Sequence, residues 1–125
     1  MMNELISEEE IKKRTAPFLE RGFAFEYFYQ KGGDSSCVYI CRFKKSKDFF
    51  DWREVSGANE IHLVVSVNGE YRFPDLEKRH PKTVRTFKRK HLFKKATLSD
   101  RRDLFAELLL EELRSSPADF FGISL

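Results

Sequence analysis

Two stretches of this chain alternate apolar and polar residues with a period of two, and that period fits a strand buried on one face and hardly anything else. In FAFEYFYQ the alternation puts Phe23, Phe25, Tyr27 and Tyr29 on one side; in EIHLVVSV it aligns Ile61, Leu63, Val65 and Val67. Strands of this kind need a cover over their apolar face, and the chain must supply it. Between them, KGGDSS is turn chemistry leading into a second strand, CVYICRFKK, so the first two strands form an antiparallel hairpin. Asn68 and Gly69 allow either a type I′ turn between two short strands or a bulge within one long strand, and the bulge is the favoured expectation. The connection SKDFFDWREVSGAN reads as a helical turn capped by Ser46 and carrying Phe49, Phe50 and Trp52. Three large aromatics so close together either fold over the sheet edge into the core or form an exposed anchor for a partner.

Two helices supply the cover. In ISEEEI, Ser7 and Glu10 form a capping box and Ile6 and Ile11 a hydrophobic staple. Ile11, Thr15, Phe18 and Leu19 follow at helical spacing, Pro17 bends the helix and Gly22 stops it. Near the other end, TLSDRRDLFAELLLEELRSS offers Thr97 and Asp100 as a capping box and an apolar stripe through Leu104, Phe105, Leu108, Leu109, Glu112 and Leu113. Leu110 falls off that stripe, leaving surface that a second copy of the chain could share. SPADFFGISL reads as one short turn with Ser116 as cap and Pro117 in first position, from which Phe120 and Phe121 either dock back onto the domain or dimerise it.

At 125 residues, 41% hydrophobic and 14% aromatic, the chain can build one aromatic-rich core, which makes residues 1–125 a single domain by expectation. Cys37 and Cys41 would stand about 13 Å apart on a strand, beyond the roughly 7 Å that a disulfide tolerates, so they read as small buried hydrophobes in a reducing compartment. The acidic start MMNELISEEE does not resemble a signal peptide and no apolar run is long enough to span a bilayer. A cytoplasmic location without membrane attachment is expected.

Taken in order, APFLERGFAF, FYQKGG, YICRFKKSKD and VVSVNGEY give a helix with an internal Pro ending in Gly-Phe, an aromatic strand, a strand ending Phe-Lys-Lys-Ser-Lys and a strand ending Val-Asn-Gly. Over roughly Ile11 to Phe73 this order resembles a family of small bacterial domains of unknown function. The resemblance implies a mixed helix-and-sheet domain of bacterial origin. It carries over no catalytic residue, and the chain beyond Phe73 lies outside it.

Local catalytic signatures are missing: there is no GxGxxG, GxxxxGK[ST], HExxH, GxSxG or EF-hand pattern. His62, the loop residues Asp34, Ser35 and Ser36, and the acids Asp48, Asp51 and Glu54 are fragments of chemistry, but no spacing places His62 beside Ser36 or Cys37. Without a CxxC pair or clustered histidines, no metal site is expected either. Neither a catalytic residue nor a cofactor is predicted.

The remaining signal is charge. Lys78 to Lys95 holds nine Lys or Arg and no acid, and without it the chain keeps fourteen cations against twenty acids. Such lopsidedness concerns partners rather than fold. The stretch fits a helix from Pro81, with Val84, Phe87 and His91 on one face, or an imperfectly alternating strand. In both, cations interleave with Phe87 and Phe93, an arrangement suited to phosphates and stacked bases.

The sequence therefore predicts an α+β domain: an antiparallel sheet of three to four strands, covered on one face by an N-terminal and a C-terminal helix. The expected role is non-catalytic binding, first of all protein–protein interaction, with Phe49, Trp52 and Phe121 as candidate partner-binding aromatics. The alternative is binding of single-stranded nucleic acid, RNA or another anion such as an acidic protein. Its candidate residues are Lys82, Arg85, Lys88, Arg89, Lys90, Lys94 and Lys95.

Overall fold

The strands β1 (Ala24–Lys31), β2 (Cys37–Lys45), β3 (Asp48–Val55), β4 (Glu60–Val67) and β5 (Glu70–Arg72) form one antiparallel sheet in chain order. The structure is a computed structural model and describes residues 8–31, 37–55 and 60–125. The loop carrying Asp34, Ser35 and Ser36 and the helix start at Ile6 and Ser7 lie outside the described residues.

Register assigns every strand residue to one of two faces. On the first, Phe25, Phe43, Phe50 and Val65 stand in one row across the strands, Tyr27, Cys41, Trp52 and Leu63 in the next. On the second, Ala24, Lys44, Phe49, Ser66 and Tyr71 form a row, followed by Glu26, Arg42, Asp51 and Val64, then by Phe28, Ile40, Arg53 and His62.

The sheet has five strands rather than three or four, and two corrections account for the difference. The segment expected as a helical turn is β3, because Ser46 takes φ 58° and reverses the chain so that Lys45 pairs with Asp48. Phe49 and Phe50 are adjacent and therefore point to opposite faces, which hides the strand period. At Asn68 and Gly69 the chain makes a turn, not a bulge: both residues have positive φ, 53° and 82°, as a type I′ turn requires, and Val67 pairs with Glu70.

The first face is the covered one. α1 (Glu8–Arg14) and α2 (Ala16–Glu20) are separate helices broken at Thr15, whose hydroxyl donates to the Ile11 carbonyl at 2.6 Å, while Pro17 sits in the first turn of α2. Pro17 breaks the expected single helix instead of bending it. Phe18 of α2 lands 4.9 Å from Phe50 and 6.2 Å from Phe43, ring to ring. α3 (Leu76–Arg79) and α4 (Pro81–Lys90) lead to α5 (Leu98–Ser115), which starts at the expected Thr97–Asp100 capping box. Its stripe of Leu104, Phe105, Leu108, Leu109, Glu112 and Leu113 is buried inside this chain, and Phe105 packs edge-on against Trp52 at 4.9 Å.

The C-terminus departs from expectation too. Instead of a capped turn it forms a small hairpin of β6 (Asp119–Phe120) and β7 (Ile123–Ser124), turning at Phe121 (φ 52°) and Gly122 (φ 97°). Phe120 docks back into the core, 5.1 Å from Phe18 and 4.7 Å from Phe50. Among the described residues no helix is long and apolar enough to cross a membrane.

Candidate nucleic-acid interface

The basic stretch is helical. Asp75 caps α3 by accepting from the Glu77 and Lys78 amides, and Pro81 opens α4, where its missing N–H costs nothing. Val84 alone is buried and Thr83 and Phe87 are half-buried, so the rest of α4 is free to face outward.

A charged clamp sets the helix in place. Glu112 of α5, 2% exposed, accepts from Nε and one terminal nitrogen of Arg79, each at 2.8 Å, and lies 2.8 Å from His80 Nε2. Burial pushes the Glu112 carboxyl up, but the bonds and charges from Arg79 and His80 together outweigh it and hold the carboxyl below its ordinary range. His80 Nδ1 also lies 3.4 Å from Glu111, and the Thr83 hydroxyl donates to Glu111 at 2.6 Å. At the far end, His91 Nδ1–H donates to the Phe87 carbonyl at 2.8 Å, while Nε2 is 3.4 Å from Asp100. Lys88, Arg89 and Lys90 occupy the last turn, where the helix dipole favours positive charge.

The seven predicted cations stay together and find no acid among the described residues. Lys82, Arg85, Lys88, Arg89 and Lys90 are exposed on α4, Lys94 and Lys95 just beyond it, and none makes an ion pair with a described acid. Between them Leu92 is 68% and Phe93 100% exposed. Elsewhere some described arginines find carboxylates: Arg14 meets Glu10 and Asp103, Arg42 and Arg53 meet Asp51, and Arg102 meets Glu54, whereas Arg21, Arg72, Arg101 and Arg114 pair with no described acid.

The three predicted partner-binding aromatics are not brought together. Trp52 is fully buried, with its Nε1–H donating to Glu54 at 2.9 Å, so it offers no surface to a partner. Its place in the strand alternation, facing the covered side, is the reason. Phe49 lies on the opposite face beneath the Arg42 guanidinium, 3.9 Å from its ring centre. Phe121 sits at the C-terminal turn with Arg79 5.0 Å over its ring.

The fragments of chemistry disperse as well. Asp51 is fully buried and Glu54 4% exposed, each held by arginine, while His62 is exposed beside Glu60 at 3.1 Å. Burial pushes the Cys41 thiol up to about 12, which keeps it protonated and unreactive. Among the described residues no group of acids, histidines and cysteines is placed to hold a metal ion.

Sequence reasoning missed the second sheet face, which no described helix covers. There Arg42 lies between Phe28, at 5.1 Å, and Phe49, and Phe49 meets Tyr71 at 6.2 Å. Only the register across five strands brings these residues together. No family model, curated protein or solved structure matches the chain, and its function is read from geometry alone.

Proposed function

We propose that this protein is a non-catalytic binding module that holds the phosphate backbone of nucleic acid through α4 and the turn after it. The observation that carries the reading is the clustering of seven exposed cations on one helix and the turn after it, with no acid among them in sequence and no ion pair to a described acid. Like charges packed on one helix repel each other, and a polyanion relieves that repulsion while releasing its own counterions. Exposed Phe93 beside Lys94 and Lys95 adds a ring on which a base can stack.

Fluorescence anisotropy of labelled DNA and RNA, titrated at several salt concentrations, tests this. Neutralising about six phosphates gives log affinity against log salt a slope of about −5, and Lys88→Ala with Arg89→Ala and Lys90→Ala flattens it. Absence of binding at low salt, or a slope indifferent to these substitutions, overturns the reading.

One observation favours a second reading, a protein partner. β5 pairs only with Val65 to Val67, so among the described residues nothing pairs with Glu60 to Val64 on that side. A cleft of about 630 Å³ lined by Ile61, Leu63, Phe73, Leu76 and Phe105 runs beside this free edge. An extended peptide could add there as a further strand.

A further inference from the structure

The uncovered face of the sheet is more ordered than an unpartnered surface needs to be. Asp51 accepts from Arg42 through Nε at 2.8 Å and a terminal nitrogen at 3.0 Å, and from Arg53 through Nε at 3.0 Å and a terminal nitrogen at 2.8 Å. Both guanidinium groups are thereby held across the sheet. The Arg42 guanidinium lies 5.1 Å from the Phe28 ring centre and 3.9 Å from that of Phe49, and Tyr71 extends the series onto β5. Phe28 is 39% exposed and Tyr71 58%. Ring, guanidinium, ring and ring thus cross the sheet from β1 to β5, fixed before any ligand arrives.

Charge on this face identifies the occupant. A single buried carboxylate serves two guanidinium groups, which leaves one positive charge over. Beside it opens a cleft of about 500 Å³ lined by Arg42, Lys44, Ser46, Lys47 and Phe49, with Glu26 as its one acid. Lys44 and Lys47 are exposed and make no ion pair with a described acid. Exposed π surfaces with cations at their border match bases joined by phosphates. They match them only when the bases are unpaired, since a duplex keeps its base faces stacked inside.

We infer that the open sheet face is a second binding site, specific for single-stranded nucleic acid, in which bases stack on the exposed rings of Phe28 and Tyr71, Arg42 and Phe49 support the surface between them, and phosphates meet Lys44 and Lys47. The inference rests on the nucleic-acid reading of α4 and adds strandedness to it. A rigid platform gives up little conformational entropy on binding, which is what the Asp51 clamp provides.

The experiment compares a fluorescein-labelled oligothymidylate of 15 nucleotides with a labelled duplex of the same length, by anisotropy on the full chain. Phe28→Ala with Tyr71→Ala removes two exposed rings, and Lys44→Ala with Lys47→Ala is a second pair that leaves the rings in place. The ring pair is expected to weaken oligothymidylate binding by about tenfold or more, leaving its salt slope and duplex binding unchanged. The lysine pair should lower the salt slope for the single strand by about one to two. If both pairs bind oligothymidylate like the parent while the α4 triple variant loses it, the sheet is no site and the α4 reading stands. If the sheet variants lose it and the triple variant does not, the sheet site stands and the α4 reading falls. Absence of binding to either probe at low salt ends both.

Discussion

The two faces of the sheet are built from the same strands yet held together by different forces. The covered face is sealed by rings: Phe18, Phe43, Phe50 and Phe120 contact one another, and Trp52 meets Phe105. On the open face Ile40, Asp51, Val64 and Ser66 are buried too, although no described helix packs its rings there. The guanidinium heads of Arg42 and Arg53 converge there on Asp51. Hydrophobic closure hides a surface, whereas an ionic clamp orders a surface and leaves it accessible. That difference is why the core belongs to one face and the inferred single-strand site to the other.

Removing the largest ring should mark the closed side most strongly. Trp52→Ala is expected to cost about 3–5 kcal/mol in urea unfolding, since it leaves a cavity and deprives buried Glu54 of a donor. Asp51→Ala probes the clamp and should cost about 1.5–3 kcal/mol, less than a fully buried pair because both guanidinium groups can rehydrate. A loss within about 0.5 kcal/mol would mean that the open face is a solvated surface and not an ordered one. Gly122→Ala tests the C-terminal hairpin that closes the covered face. With φ 97° and an added Cβ only 3.1 Å from the Arg72 guanidinium, it should cost about 1–2 kcal/mol.

What could be read from the sequence divides along the same line. α5 was legible because its signals are local: Thr97 and Asp100 lie three residues apart, and the stripe from Leu104 to Leu113 has one period. β3 was not, because Phe49 and Phe50 face opposite ways and the turn before it places Ser46, a residue with a Cβ, at positive φ. The C-terminal hairpin escaped for the same reason, with bulky Phe121 in the left-handed region. The α4 cations were visible as composition, since they are neighbours in the chain. Phe28, Arg42, Phe49 and Tyr71 come from four strands, and composition says nothing about register.

The clamp that seats α4 has its own pH dependence. Glu112 is held below its ordinary value of 4.5, so its contribution is fully present above that value and is lost as pH falls through the folded one. The difference in Tm between the parent and Glu112→Gln should therefore be widest near pH 7 and shrink as pH drops below about 4.5. A gap constant over that range would mean that Arg79 and His80 do not favour the charged carboxylate.

The smallest expected effect on stability is the most discriminating between the two kinds of cation. Replacing Lys88, Arg89 and Lys90 with alanine should move unfolding free energy by no more than about 0.5 kcal/mol, since the three make no ion pair with a described acid and alanine is the better helix former. The lost attraction to the helix C-terminus and the relieved mutual repulsion act in opposite directions. Arg42 and Arg53 are fixed into the fold by Asp51, so their charge serves structure first. The α4 cations have no such partner among the described residues, and a variant that keeps its urea midpoint while losing affinity for DNA and RNA would show that their charge is directed outward. If stability falls by as much as in Asp51→Ala, the cations belong to the fold and the distinction between clamp and patch disappears.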